Sequence, residues 1–228
     1  MSGLMQWLQK LADAALTGSS ERFIPDALKH DPELQRLARL HIRFGWLGLG
    51  FGLVYALFYG AVGHYHGASM ILACSLVFGL VPWLIQKTGQ LWVTGNLFSL
   101  VLVVGFAGLA TVEGGLTGHA VGWLASVPLM TMLLLGIRPA LGWTAVCVLV
   151  VAAFALAHAA GHHFPRTYPP EWETLIDAAG YVGLAPFLAF LGSIFEKTRS
   201  QAQGQLQAAL EKLSLANERL ERLNKDKD

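Results

Sequence analysis

The chain has 228 residues, of which 54% are hydrophobic and only 14% are charged, and its formal net charge at pH 7 is +1. This composition is too apolar for an ordinary soluble domain, and the near-neutral charge offers no basic surface for nucleic acid. Cys74 and Cys147 both lie inside apolar runs, which excludes a C-x-x-C motif and indicates no disulfide framework. The composition therefore predicts a membrane protein, whose spans need about 20 apolar residues each.

The N-terminal part, residues 1–42, is predicted to form cytoplasmic amphipathic and juxtamembrane helices. Leu4, Leu8 and Leu11 follow helical spacing, which favours a helix lying on the membrane surface, with a frayed terminal helix as the alternative. The sequence Asp31-Pro32-Glu33 is typical of a helix start, and the helix that begins there is expected to continue into the first apolar run.

Six apolar runs close to spanning length follow, separated by short breaks rich in glycine, proline or charge. They cover residues 44–63, 68–86, 91–112, 120–137, 140–162 and 175–195. The predicted fold class is all-α, with residues 43–195 forming a bundle of six transmembrane helices.

The lysine and arginine distribution predicts the orientation of this bundle. One side carries Arg36, Arg39, Arg43, Lys87, Arg138, Lys197 and Arg199, whereas the other side carries only Arg166. Because basic loops stay in the cytoplasm, both termini are predicted to be cytoplasmic, which an even number of spans also requires. The outward segment before the last span contains Pro165, Pro169 and Pro170 and is predicted to be a rigid, irregular cover.

Histidines gather at the outer ends of the predicted spans. They are His64, His66, His119, His158, His162 and His163. His158 and His162 are four residues apart on one helical face, so His64, His66, His158 and His162 are candidate metal ligands. Haem ligation, sensing of external pH, and histidines that merely tolerate the headgroup region are the alternatives.

A second polar stripe begins the last span. Glu173, Asp177 and Tyr181 are four residues apart on one face, and Asp177 lies about one turn inside the span. Ionisable groups at membrane depth usually mark a site, so these residues are predicted to line a ligand-sensing pocket. The other candidate lining residues are His119, His158, His162 and Trp123.

Residues 196–228 show a seven-residue repeat that predicts a parallel coiled-coil stalk and hence a homodimer. The predicted seam residues are Leu206, Leu213, Leu220 and Asn217. Two overlapping registers share the leucines, so a small rotation of the helix could exchange them. A plain solvated helix is the alternative.

The stretch Glu113-Gly114-Gly115-Leu116-Thr117-Gly118-His119, followed by Trp123, Pro128, Gly136 and Gly142-Trp143, resembles the six-span sensor region of bacterial membrane histidine kinases, many of them hybrid kinases. The exit Phe195-Glu196-Lys197 and the tail resemble the linker of that family. Members often have Ser-Pro after the Gly-Gly loop, where this chain has Thr117-Gly118-His119.

This resemblance implies a sensor domain in the bacterial inner membrane, with a kinase part after Asp228 that acts on a response-regulator domain. Expected partners are a second copy of the chain, membrane lipids and a small-molecule or lipid-like signal. No catalytic motif occurs in the segment itself, so it is predicted to be non-catalytic. The sensor domain of a membrane diguanylate cyclase, a metal- or haem-binding membrane protein and a transporter are the alternatives.

Overall fold

The computed structural model of the chain describes residues 21–225, and in the last helix it describes side chains at only some positions beyond residue 196. In this range all regular secondary structure is helical, apart from one isolated bridge between Glu113 and Arg166. The all-α prediction is therefore confirmed for the described residues. The predicted surface helix that contains Leu4, Leu8 and Leu11 lies outside them.

Eight α-helices and two 3₁₀ turns follow one another within the described range. The α-helices are α1 (Asp26–Lys29), α2 (Pro32–Ala61), α3 (Tyr65–Thr88), α4 (Leu91–Val112), α5 (Ala120–Trp123), α6 (Ser126–Leu135), α7 (Ile137–Ala159) and α8 (Glu173–Lys225). The 3₁₀ turns are Gly115–Thr117, before α5, and Pro170–Trp172, before α8.

The predicted helix start at Asp31 is confirmed. Its carboxylate accepts hydrogen bonds from the backbone N–H groups of Glu33 and Leu34, and Pro32 occupies the first helical position. A proline fits there because that position has no intrahelical partner for an N–H group.

Five helical segments are long and apolar enough to cross a membrane. They are Pro32–Ala61, Tyr65–Thr88, Leu91–Val112, Ile137–Ala159 and Pro170–Glu196. Most of their apolar residues are not buried by the rest of the chain, and Val54, Leu57, Val104, Leu149 and Val182 are examples with well exposed side chains. Such broad apolar exposure is what a hydrocarbon solvent requires, so the chain is a multi-pass membrane helical protein.

The fourth predicted span, 120–137, is not a single helix of spanning length. It is divided into α5 and α6, and the whole apolar segment Ala120–Leu135 is shorter than the other five. Pro128 has no N–H group for the carbonyl of Leu124, which instead accepts from Val127. At the other end Gly136 has φ 87°, a left-handed conformation that ends α6 and that glycine adopts without strain.

This shorter segment still runs between the two ends of the helix bundle. His119, just before it, contacts Tyr59 at the end of α2. Leu135, its last helical residue, packs against Gly95 near the start of α4, and His41 near the start of α2 reaches the same glycine. Hydroxyl groups of Ser99 on α4 and Thr131 on α6 lie 2.7 Å apart midway between the two ends.

The contacts divide the chain into a first unit that ends at Leu184 and a second that begins at Ala185. The predicted boundary between bundle and stalk, at residues 195–196, falls inside the second unit. That unit is helical to Lys225, and Leu213 is exposed in the single chain. The side chains of Leu206, Asn217 and Leu220 lie outside the described residues, so the coiled-coil seam stays a prediction.

Candidate functional site

Glu113 is a fully buried carboxylate at the C-terminal end of α4. Its Oε1 atom lies 3.2 Å from Nε2 of His64, which is also completely buried. Its Oε2 atom lies 3.5 Å from Nε2 of His119 and has no hydrogen-bond partner among the described residues. A buried acceptor without a donor costs about 1–3 kcal/mol, and more when it is charged, so this oxygen identifies an unusual position.

Residues 160–169, which we call the covering segment, lie between α7 and the turn Pro170–Trp172. This segment folds back over Glu113 and explains its burial. The N–H of Gly114 donates to the carbonyl of Pro165 at 3.2 Å, and the N–H of Thr167 donates to the carbonyl of Val112 at 3.0 Å. Gly114 has φ 92°, so the chain can turn sharply after Glu113 and meet this segment. The predicted irregular cover is therefore present, and it covers the carboxylate.

His119 joins three parts of the fold. Its Nδ1 atom lies 3.0 Å from Oδ1 of Asp177 on α8, and its Nε2 atom lies 2.9 Å from the hydroxyl oxygen of Tyr59 on α2. The side chain of His119 is almost completely buried. Because its Nε2 atom also faces Glu113 at the end of α4, one imidazole contacts residues of three different helices.

Arg166 extends this cluster toward the surface. Its guanidinium pairs with Glu173, lies 3.3 Å from Oδ2 of Asp177 and approaches the carbonyl of Thr117. The side chain of Asp177 is 25% exposed and that of Glu173 is 46% exposed, whereas that of Glu113 is fully buried. The charged groups thus form a continuous chain from the interior to solvent.

Aromatic rings enclose the inner end of the cluster. The ring centroid of His64 lies 4.9 Å from that of Tyr59 and 4.8 Å from that of Tyr168. Burial raises the pKa of Tyr168 to about 12; nearby Arg166 lowers the pKa, whereas carboxylates including Asp177 raise it. The hydroxyl of Tyr168 has no hydrogen-bond partner among the described residues, so it is a second orphaned polar group beside His64.

The backbone of the first turns of α8 accepts two hydrogen bonds from side chains of other helices. The hydroxyl of Tyr55 donates to the carbonyl of Ala179 at 3.0 Å, and Nε1 of Trp123 donates to the carbonyl of Gly180 at 3.2 Å. Gly180 lets the imidazole of His119 lie directly against the helix, because a Cβ atom there would overlap the ring. Trp123 is buried, and its hydrogen bond to Gly180 makes it part of this contact.

We define the polar cluster as Tyr59, His64, Glu113, His119, Arg166, Tyr168, Glu173 and Asp177. Of the residues predicted to line a sensing pocket, it contains His119, Glu173 and Asp177. Trp123 lies beside it, and the ring of Tyr181 is 6.3 Å from that of His119 with its side chain largely exposed. His158 and His162 are exposed, and their ring contacts are with His163 and Phe164 instead.

The predicted metal site is not assembled. In the part of the chain that the structure describes, no group of three or more His, Cys, Asp or Glu side chains is placed to hold a metal ion. His66, His158 and His162 are exposed, whereas both ring nitrogens of buried His64 face protein groups, Glu113 and Thr167. The predicted common helical face of His158 and His162 is also absent, because α7 ends at Ala159 and Gly161 has a positive φ of 82°.

Four members of the cluster, Tyr59, Glu113, Arg166 and Tyr168, were not predicted as site residues. Arg166 had a recognisable signal, because it is the only lysine or arginine on the predicted outer side and the acidic stripe of α8 follows it closely. Glu113 looked like an ordinary charged residue after a span. Its burial depends on the covering segment, which begins more than 40 residues later.

Comparison of the chain with protein-family models, with curated proteins and with solved structures finds no match in any of the three.

Proposed function

We propose that the chain is the membrane-embedded sensor domain of a two-component histidine kinase of the hybrid type. In this proposal a stimulus at the outer side or within the bilayer changes the polar cluster, and α8 carries the change to a cytoplasmic catalytic part. The protein resides in the bacterial inner membrane as a homodimer with both termini in the cytoplasm.

The observation that carries this proposal is the position of α8. Its first turns contact the polar cluster through Glu173 and Asp177, and their backbone accepts hydrogen bonds from Tyr55 and Trp123. The same helix runs from Glu173 to Lys225, for 53 residues, and contains Pro186. About 20 residues suffice to cross a bilayer, so α8 is much longer than a span and suits transmission of a movement along its axis.

Two features of the second unit support a dimeric output helix. Leu213 is exposed, as expected for a seam residue before a partner covers it, and nearby Leu210 is exposed as well. The predicted seam repeats every seven residues, which matches a left-handed coiled coil. A second copy of the chain would cover these leucines.

Six membrane crossings are part of the proposal. Segment Ala120–Leu135 is short, but its ends lie near opposite ends of α2 and α4. With this segment as a sixth crossing, the lysine and arginine residues of the breaks fall on the cytoplasmic side, apart from Arg166.

The proposal is tested with the natural full-length protein in membranes by measuring phosphate incorporation on histidine. One residue inserted after Gln207, an exposed position of α8, rotates the following helix by about 100°. A seven-residue insertion adds about two turns of a coiled coil and restores the rotational phase. We expect the single insertion to change autophosphorylation strongly and the seven-residue insertion to restore it.

Equal activity of both insertion variants would contradict signal transmission through α8. Absence of phosphohistidine would contradict the kinase proposal itself, and formation of a cyclic dinucleotide in the same membranes would favour the cyclase alternative. A haem absorbance band of the purified protein would instead favour a haem protein.

A further inference from the structure

The polar cluster contains one imidazole placed between two carboxylates. His119 faces Asp177 with its Nδ1 atom at 3.0 Å and Glu113 with its Nε2 atom at 3.5 Å. An ionised carboxylate can only accept a hydrogen bond, so Nδ1 carries a hydrogen that it donates to Asp177. Whether Nε2 also carries a hydrogen then decides whether Oε2 of Glu113 faces a hydrogen-bond donor or an acceptor.

When Nε2 carries no hydrogen, it accepts from the hydroxyl of Tyr59, 2.9 Å away. The hydrogen of Tyr59 is then used, and the lone pair of Nε2 faces Oε2 of Glu113. That oxygen is buried and has no hydrogen-bond partner among the described residues. With Glu113 ionised, the neutral imidazole therefore leaves two acceptors facing each other in the interior, which is unfavourable.

When Nε2 carries a hydrogen, this conflict is removed. The imidazolium then bridges Asp177 and Glu113, and Tyr59 can turn its own hydrogen toward Glu113, which lies within hydrogen-bonding reach of its hydroxyl. His64 already faces the other oxygen of Glu113. A single added proton thus gives Glu113 the donor that it lacks.

The charges around His119 also favour a proton. The groups that face it, directly or through one neighbour, come from every element packed against it: Tyr59 of α2, His64 between α2 and α3, Glu113 of α4, Arg166 and Tyr168 of the covering segment, and Glu173, Asp177 and Tyr181 of α8. With neutral histidines, three carboxylates face one guanidinium. The cluster therefore has an excess of two negative charges, one of which a proton would balance.

The close packing of the cluster limits the size of its ligand. A Cβ atom at Gly67 would overlap the ring of His64, one at Gly118 would overlap the backbone of Glu113, and one at Gly180 would overlap the ring of His119. Backbone therefore approaches the buried groups from three directions so closely that a methyl group would not fit. A proton is the ligand that binds here without displacing any of these contacts.

We propose that His119 is a proton-binding site, and that proton uptake tightens the contact between Glu113 at the end of α4 and Asp177 on α8. The consequence for signalling rests on the sensor function proposed above, whereas proton binding itself does not. In the protonated state the first turns of α8 are held to the bundle by a charged bridge. Proton loss removes the charged bridge from His119 to Glu113, while the contacts of His119 with Asp177 and Tyr59 remain.

The test is a histidine titration by nuclear magnetic resonance of the purified full chain in lipid nanodiscs, over about pH 5 to 8, where imidazoles change charge. The His119 signal is assigned with His119→Gln. We expect the Glu113→Gln variant to take up the His119 proton at a lower pH than the wild type, because the variant lacks the carboxylate that favours the proton. His158→Gln, at an exposed histidine, is the matched control and leaves the His119 titration unchanged.

Asp177→Asn is the second variant, since its side chain is partly exposed and its shape is preserved. If the Glu113→Gln variant does not fold, the Asp177→Asn variant must lower the pH at which His119 loses its proton. The proposal is overturned if His119 keeps one protonation state throughout the range, or if both carboxylate variants titrate like the wild type. These outcomes need no kinase activity, so they are distinct from failure of the insertion experiment.

Discussion

Nδ1 of His119 lies 3.0 Å from Oδ1 of Asp177, and this contact joins the segment after α4 to the first turns of α8. The same carboxylate reaches Arg166 with its other oxygen. Asp177 is therefore a residue of α8 that contacts both His119 and Arg166.

Asp177→Asn is expected to lower the free energy of unfolding by about 1 kcal/mol without unfolding the protein, because two charge-assisted contacts are weakened at a partly exposed position. Thermal unfolding in detergent measures this loss. Glu171→Gln, at an exposed carboxylate of the preceding 3₁₀ turn, is the control and should unfold like the wild type. Equal stability of the two variants would show that Asp177 contributes nothing to the attachment of α8.

Gly180→Ala is expected to destabilise the chain by about 1–3 kcal/mol, since the new methyl group overlaps the imidazole of His119 and forces α8 outward. The comparison is Gly142→Ala on α7, where no atom lies within 4 Å of the added Cβ. Alanine favours the helix there, so this variant should be neutral or slightly more stable. If both substitutions had the same effect, α8 would not lie against His119 as described.

The hydroxyl pair of Ser99 and Thr131 is expected to contribute about 0.6 kcal/mol to the packing of α6 against α4, the usual size of such bonds between membrane helices. A double-mutant cycle with Ser99→Ala and Thr131→Val isolates the pairwise part of this energy. Additive effects of the two substitutions would mean that the hydroxyl groups do not interact.

Tyr168→Phe is expected to keep or slightly increase stability at neutral pH, because the lost hydroxyl is buried without a hydrogen-bond partner among the described residues. Burial raises the pKa of Tyr168 to about 12, above the ordinary value of about 10. The folded state thus holds this proton more tightly than the unfolded state. The contribution of this raised pKa to the free energy of unfolding is therefore fully present below about pH 10. It is lost as the pH rises toward 12.

Measuring the free energy of unfolding from neutral to alkaline pH checks whether stability falls as the pH rises. The wild type should lose stability above about pH 10, and Tyr168→Phe should lose less over the same range. A larger alkaline loss in the variant would contradict the assignment.

Single cysteines at exposed positions test the topology, after Cys74 and Cys147 are replaced. His66→Cys and Glu171→Cys should react with a membrane-impermeant thiol reagent from the outer side, and Ile137→Cys only after the membrane is opened. Reaction of all three from the same side would show that Ala120–Leu135 does not cross.

The helical nature of the chain and the positions of five of its spans could be predicted from the sequence. Apolar runs near 20 residues have few alternatives to helices in hydrocarbon, since every backbone polar group must be paired within the segment. The segment 120–137 was the exception. Hydropathy counts apolar residues but does not register that Pro128 removes a backbone hydrogen bond near the middle of the segment and that Gly136 ends its helix.

Part of the polar cluster was also within reach of the sequence. The four-residue spacing of Glu173 and Asp177 follows from helix geometry and puts both on one face, and His119 belonged to the same predicted outer end. His158 and His162 have the same spacing, but α7 ends at Ala159, so they do not share a helical face, and both side chains are exposed. Spacing along the sequence does not say where a helix ends or which neighbour its face will meet.

The sequence alone thus determined that the chain is a bundle of apolar helices with ionisable residues gathered at one end, because hydrophobic length and helical period are local properties. Only the tertiary structure decided that Glu113 is buried and that His119 lies between it and Asp177. The contacts of Glu113 with His64, and of His119 with Tyr59 and Asp177, join residues 49 to 60 positions apart in the chain. They depend on how helices pair and how the covering segment folds back, which no local pattern encodes.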